Sequence, residues 1–205
     1  MPISWGPSEP YDTGDSNAVA LDDQGHAVEV HVGSGRLFYR VGTADFTSRT
    51  ITWGPSFPPY DTGDSNAVAL DDQGDVVEVH VGSGRLFSRV GTADFISDLG
   101  SITWGPSVEY DTGGPNAVAL WKDPGGAGYV AEVHVGSGRL FYRLGAADFT
   151  KQMITWGYSV EYDTGDSNAV ARDNQGHVVE VHVGSGRLFY RVGHFTSQCS
   201  GAAFS

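Results

Sequence analysis

Apolar and polar positions alternate in short runs along this chain, and each run ends in a turn. From Ala27 to Val32 the alternation is strict, with Val28, Val30 and Val32 on one face and Ala27, Glu29 and His31 on the other, the period of a β-strand. Before it, Asn17-Ala18-Val19-Ala20-Leu21 reads as a strand that is small and apolar on both faces, closed by the turn Asp22-Asp23-Gln24-Gly25. After it, Gly33-Ser34-Gly35-Arg36 predicts a hairpin, and Leu37 to Val41 a returning strand. With Ser34-Gly35 at the centre of the turn, Val32 should face Leu37, His31 face Phe38, and Glu29 face Arg40. A loop and a fourth strand, Thr50 to Gly54, complete the unit, and Tyr60-Asp61-Thr62-Gly63 leads into the next. No stretch carries a helical period.

The same block is written four times. Trp5, Trp53, Trp104 and Trp156 mark successive copies, 48, 51 and 52 residues apart, and self-similarity at such a period signals a repeat architecture. Four-stranded units repeated radially make a β-propeller. The ends are in complementary register: residues 3–11 match a fourth strand, whereas the last unit stops after its third strand near Gly193. The sequence therefore predicts an all-β, single-domain, four-bladed propeller whose ring is closed by the N-terminal strand, hiding the sheet edges. Blades fall at about 17–63, 66–113, 116–165, and 168–193 plus 3–14, with 194–205 as a C-terminal tail. A two-chain, eight-bladed ring is the lesser alternative, and the oligomeric state stays open.

Composition narrows the function. Among 205 residues the formal charge is −13, which argues against nucleic acid and anionic membrane as partners. Eight of the 12 cationic residues are copies of Arg36 and Arg40, so no separate basic patch exists. The lone Cys199 excludes an internal disulfide. No apolar run reaches membrane-spanning length, and the first repeat begins at Ile3. The expectation is a soluble protein without signal peptide, cytoplasmic or released without a cleaved signal.

Two repeated sets carry candidate chemistry. Glu29, His31 and Arg40, with Glu78/His80/Arg89, Glu132/His134/Arg143 and Glu180/His182/Arg191, could suggest acid–base work. The hairpin register instead makes each Glu–Arg a cross-strand ion pair. The second set is the loop Tyr11-Asp12, Tyr60-Asp61, Tyr110-Asp111 and Tyr162-Asp163. It shares a blade end with the hairpin arginines Arg36, Arg85, Arg139 and Arg187. Planar rings beside carboxylate, amide and guanidinium groups suit a sugar, and the same residues are also ordinary turn formers. These twelve residues form the candidate sugar-binding set, and the third unit departs from it at Gly114-Pro115.

The aspartate pairs Asp22-Asp23, Asp71-Asp72 and the Asp173-Asn174 turn hold hard oxygen ligands, but without the alternation of a calcium loop. No protein metal site or cofactor is expected, with a carbonyl-held ion in the central channel the only exception considered. No nucleophile elbow, phosphate loop or His/Cys cluster is present. Nearly every polar residue is replicated, whereas an active site in a ring needs unique residues. The unique ones (Trp121, Lys122, Tyr129, Tyr158, Arg172, His194 and Cys199) form no recognisable set in sequence, so no enzyme is expected.

The hairpin pattern Val28 to Arg40, Val-x-Val-x-x-Gly-x-x-x-Leu-aromatic-x-Arg, resembles blades of tectonin-type and bacterial fucose-binding propeller lectins. It is similar, more loosely, to the four-bladed hemopexin-like domain. The resemblance covers residues 3–193 and rests on blade-forming positions, and Phe38-Tyr39 stands where those lectins carry a Trp. It implies a multivalent carbohydrate-binding protein with shallow sites between blades and glycans or glycoproteins as partners. The alternative reading is a protein-interaction scaffold, or the targeting module of a toxin.

Overall fold

The computed structural model describes residues 2–96, 100–173 and 175–195. Asn174, Cys199 and the tail from 196 onward lie outside them. None of the described residues is helical, and no helix is long and apolar enough to cross a membrane.

Four antiparallel sheets follow one another along the chain as the blades of a four-bladed β-propeller. Blade 1 is β1 (Asp15–Leu21), β2 (His26–Gly33), β3 (Arg36–Asp45), β4 (Thr50–Trp53) and β5 (Asp61–Thr62). Blade 2 is β6 (Ser65–Leu70), β7 (Asp75–Gly82), β8 (Arg85–Asp94), β9 (Ser101–Trp104) and β10 (Val108–Thr112). Blade 3 is β11 (Asn116–Lys122), β12 (Gly128–Gly136), β13 (Arg139–Asp148), β14 (Met153–Trp156) and β15 (Val160–Thr164). Blade 4 has three strands among the described residues, β16 (Ser167–Arg172), β17 (His177–Gly184) and β18 (Arg187–His194).

The hairpin turn sets the register. Ser34 and Gly35 both take positive φ, 53° and 73°, the geometry of the primed turn that matches strand twist. Val32 pairs with Leu37, His31 with Phe38 and Glu29 with Arg40, and the other three units repeat this. The outer strand of each complete blade is split: β4 pairs with the far end of β3 and β5 with its start. Between them, Pro55, Pro58 and Pro59 of unit 1 supply no amide donor for a continuous ladder.

The core lies between the blades. Val28, Val30, Tyr39 and Val41 of blade 1 pack on Val68, Val76, Ala93 and Ile102 of blade 2. Val77, Val79 and Val90 of blade 2 pack likewise on Val118, Leu120 and Val130 of blade 3. The indole of each outer strand lies on a glycine of the third strand. A Cβ on Gly91 would stand 2.8 Å from both Trp104 Cε3 and Ile102 Cγ2, and Gly42 and Gly145 are cradled in the same way.

Ring closure by the N-terminal strand is the expectation that the structure corrects. Residues 2–14 form no strand, and β18 has no outer neighbour among the described residues. Instead Tyr11 stacks on Trp53 (5.2 Å between centroids) and Asp12 binds Arg40 Nε (2.7 Å). Tyr11 and Asp12 thus make on blade 1 the contacts that Tyr60 and Asp61 make on blade 2. This ring and carboxylate anchor the segment to the face of blade 1, and the edge of β18 is unpaired among the described residues.

Candidate functional site

The Tyr–Asp loops sit at the blade junctions. The Gly63 amide donates to Gly35 O of its own hairpin (3.2 Å), and the Asp64 amide to Val81 O of the next unit (2.9 Å). The loop is thereby turned into the junction, and its side chains find partners on the following blade. Asp61 Oδ2 accepts from Arg89 Nε at 2.9 Å and lies 3.7 Å from His80 Nε2. Its other oxygen accepts the Thr62 amide. Asp12 with Arg40, Asp111 with Arg143 and Asp163 with Arg191 repeat the pair at 2.7, 2.8 and 2.5 Å. Tyr60 stacks on Trp104 and Tyr110 on Trp156, at 5.2 and 4.7 Å. Tyr162 has no indole and meets Tyr142 and His182.

The expected Glu–Arg contact is also corrected. Glu29 and Arg40 are Cα partners, but the guanidinium turns to Asp12 and to Gly54 O (2.8 Å). Glu29 instead holds His31 Nδ1 at 3.0 Å, as do Glu78 with His80, Glu132 with His134 and Glu180 with His182 at 3.0–3.1 Å. Each of these imidazoles stacks on the phenylalanine across the hairpin. The physical reason is that the preceding outer strand brings a second carboxylate, and the strand pairing alone does not reveal it. Burial raises the Glu78 and Glu132 carboxyls above their ordinary range despite the histidines beside them. Burial would raise Asp61 as well, but the Thr62 amide, Ser107, Arg89 and His80 outweigh it and hold it below 3.8. These groups form a staple between blades, closed to solvent on the glutamate side.

The hairpin arginines stand apart from this network. Arg85 Nη1 and Arg139 Nη1 each donate to both carboxylate oxygens of an exposed glutamate of their own outer strand, Glu109 and Glu161, at 2.7–2.8 Å. Pro59 occupies the corresponding position beyond Arg36. Arg36 and Arg187 are exposed. The structure thus pairs Tyr and Asp of one unit with the next blade's inner Arg and His, and the hairpin Arg with its own sheet. At the open side of blade 1, a cavity of about 260 Å³ is lined by Tyr11 to Asn17 and His31. In unit 2 the corresponding asparagine is buried, with Asn66 Nδ2 donating to Ser16 O at 3.0 Å.

A larger concavity lies where the turns after the innermost strands converge. It measures about 560 Å³ and is lined by Asp23, Asp71, Asp72, Asp123 and Asp173 with Gln73, Lys122 and Arg172 over Leu21, Leu70, Leu120 and Trp121. The first aspartate of each turn is spent locally: Asp71 Oδ1 accepts the Gln73 and Asp75 amides, and Asp123 Oδ1 those of Gly125 and Ala127. Asp23 and Asp72 are exposed at the mouth, with the Asp23 amide donating to Asp72 Oδ1 (3.1 Å).

Residues unique to single units meet here. Trp121 stacks on Tyr129 (5.4 Å), Arg172 lies over its ring (5.0 Å), and Lys122 reaches blade 2 to bind Asp71 (2.9 Å), Gln73 and Asp75. The sequence singled out these four residues but not their convergence, because Arg172 comes from blade 4 and the partners of Lys122 from blade 2. Tyr158 is elsewhere and exposed.

No family model and no curated protein sequence matches the chain. Among solved structures it is similar to the NanB sialidase of Streptococcus pneumoniae, with a TM-score of 0.56 and 14% identity over 83% of this chain and 28% of that one. It is also similar to YjhT, with a TM-score of 0.53 and 14% identity over 98% of this chain and 70% of that one. A protein from Lactobacillus plantarum matches at a TM-score of 0.49 and 12% identity over 91% and 57%. The chain thus spans 57% of the Lactobacillus plantarum protein and 28% of the sialidase, and at such identities the shared property is the β-propeller fold.

Proposed function

We propose that this protein binds carbohydrate, and that the primary site is the axial basin of Asp23, Asp72, Gln73, Lys122 and Arg172. The observation that carries the reading is the convergence of the repeat-breaking residues on the same 560 Å³ concavity. Hydroxyl groups pair with carboxylates, amides and cations in fixed directions, and the leucine ends offer an apolar floor for C–H faces. Five lining aspartates against one lysine and one arginine make the basin acidic. Its ligand is then a neutral or amino sugar rather than an anionic one. A sialidase among proteins of like fold is in keeping with a sugar ligand. The reading is of binding without turnover, since the Glu–His pairs are buried between blades.

A second reading follows from the repetition: up to four weaker sites around the rim, between the Tyr–Asp loops and the hairpin arginines. Four sites would add avidity on a glycosylated surface, by roughly 10²–10⁴ where geometry permits. A glycan array followed by calorimetric titration separates the two. Replacing both Asp72 and Gln73 by Ala should weaken basin binding by about tenfold or more, the loss of one to two hydrogen bonds. Arg85→Ala should leave it unchanged, with one ligand per chain. A stoichiometry near four that falls with Arg85→Ala would move the site to the rim. A silent array would discard the carbohydrate reading in favour of a protein-interaction scaffold.

A further inference from the structure

Blade 4 is built to receive a fourth strand that none of the described residues supplies. In blades 1 to 3 a third-strand glycine faces the outer-strand tryptophan: Gly42 with Trp53, Gly91 with Trp104 and Gly145 with Trp156. The equivalent Gly193 has nothing within 4 Å of where a Cβ would stand. Tyr162, whose counterparts stack on Trp104 and Trp156, borders instead a cavity of about 420 Å³ that also involves Tyr142, Leu144, Val178 and Gly193. The matching piece of sequence stands in solvent, with Ile3 71% and Trp5 79% exposed.

The faces at the two ends of the blade series are complementary as well. Blade 4 leaves Val181 42% and Tyr190 74% exposed, where Val30 and Tyr39 of blade 1 are buried against blade 2. Blade 1 leaves Val19 63% exposed, where Val68 of blade 2 is buried against blade 1. Inner strand β1 lies on β6, β6 on β11 and β11 on β16, but no comparable contact joins β16 to β1. Each open face is thus one half of an interface that the chain already makes between its successive blades.

We propose that the occupant is a second copy of this chain, joined head to tail. Residues 3–5 of one copy pair with the free edge of β18 of the other, placing Trp5 on Gly193 and in the cavity beside Tyr162. The face of Val19 then meets the partner's face of Tyr190. A second copy fits because residues 11–12 are already seated on blade 1 as the preceding blade's outer strand would be, so docking asks for no rearrangement there. Such a contact is heterologous and continues until it closes. Two copies close at eight blades, within the range of about four to eight that propellers adopt.

The experiment is disulfide trapping between separately made copies. Strand partners Thr103–Thr92 and Thr155–Ala146 place Ser4 opposite His194 in the fourth unit, within the separation of facing residues that a disulfide spans. In a Cys199→Ser background, Ser4→Cys chains mixed with His194→Cys chains should form a mixed covalent dimer on oxidation. Sedimentation should give twice the chain mass. Trp5→Ala and Gly193→Ala should each weaken the dimer by about tenfold or more, with circular dichroism unchanged, since neither position carries a contact that the single chain's own core needs. A monomer at 100 µM-order concentrations, or no mixed dimer, would overturn the proposal. So would a double variant that links only within itself, which would show the chain closing its own ring.

Discussion

The inner ion pairs and the rim ion pairs have similar lengths but different surroundings, and a comparison of Asp61–Arg89 with Arg85–Glu109 tests which of them holds the blades. Asp61 and Arg89 side chains are 19% and 16% exposed, and the carboxylate also receives the Thr62 amide. A hydrogen bond to a charged group contributes about 1.5–3 kcal/mol, and at this exposure solvent screens little of it. Asp61→Ala leaves the guanidinium with Gly105 O alone among its hydrogen-bond partners. It should cost about 2–3 kcal/mol, or a fall in Tm of about 5–10 °C for a chain of this size. A double-mutant cycle with Arg89→Ala by urea denaturation should return a coupling of about 1.5–2.5 kcal/mol. The rim pair is 58% and 43% exposed, so its coupling should stay below about 1 kcal/mol and shrink in salt. Because the Asp61 carboxyl lies below its ordinary 3.8 in the folded state, its contribution is present above about pH 4. It is lost as pH falls through the folded-state value. An inner coupling below about 0.5 kcal/mol at neutral pH, or one equal to the rim pair, would refute the staple.

Three further outcomes are expected. Leu86 is fully buried, so Leu86→Ala should lose about 2–5 kcal/mol in chemical denaturation. Gly91→Ala sets a methyl 2.8 Å from Ile102 and Trp104 and 3.0 Å from Thr103 O, and should lower stability by about 1–3 kcal/mol with a change in tryptophan fluorescence. Lys122→Ala leaves Asp71 and Asp75 facing each other without their cation. It should cost about 2–3 kcal/mol, less in high salt, as a melting series at two ionic strengths would show.

Much of this was legible in the sequence because the period of two and the Ser-Gly turn act locally. The alternation from Ala27 to Val32 and the turn at Ser34-Gly35 sufficed for the strands, the register and the repeat of blades. Side-chain partners were less legible. Glu29 and Arg40 do face each other, but Asp12, from the segment that precedes β1, takes the arginine. A rule confined to one hairpin cannot include it. Residues 3–11 were identified as an outer strand, but their anchoring on blade 1 depends on Tyr11 and Asp12 finding Trp53 and Arg40 across a junction. Trp121, Lys122 and Arg172 were marked as unique, yet only the placement of blade 4 beside blade 3 brings them to one basin. The twelve rim residues divide for a similar reason: the tyrosines and aspartates face the next blade, and the hairpin arginines remain with their own.

Lys122 has a further consequence for how this chain assembles. Four units of nearly the same sequence offer almost interchangeable junctions, so a folding chain that docks blade 3 on the wrong neighbour would satisfy most of the same valines, tryptophans and ion pairs. Misassembly of this kind is the characteristic hazard of repeat proteins. Lys122 is carried by the third unit alone and reaches the carboxylates of Asp71 and Asp75 on the second. It acts as an indexing key: blade 3 gains its cation contact beside blade 2, and blade order is written into a single lysine rather than into the interchangeable core.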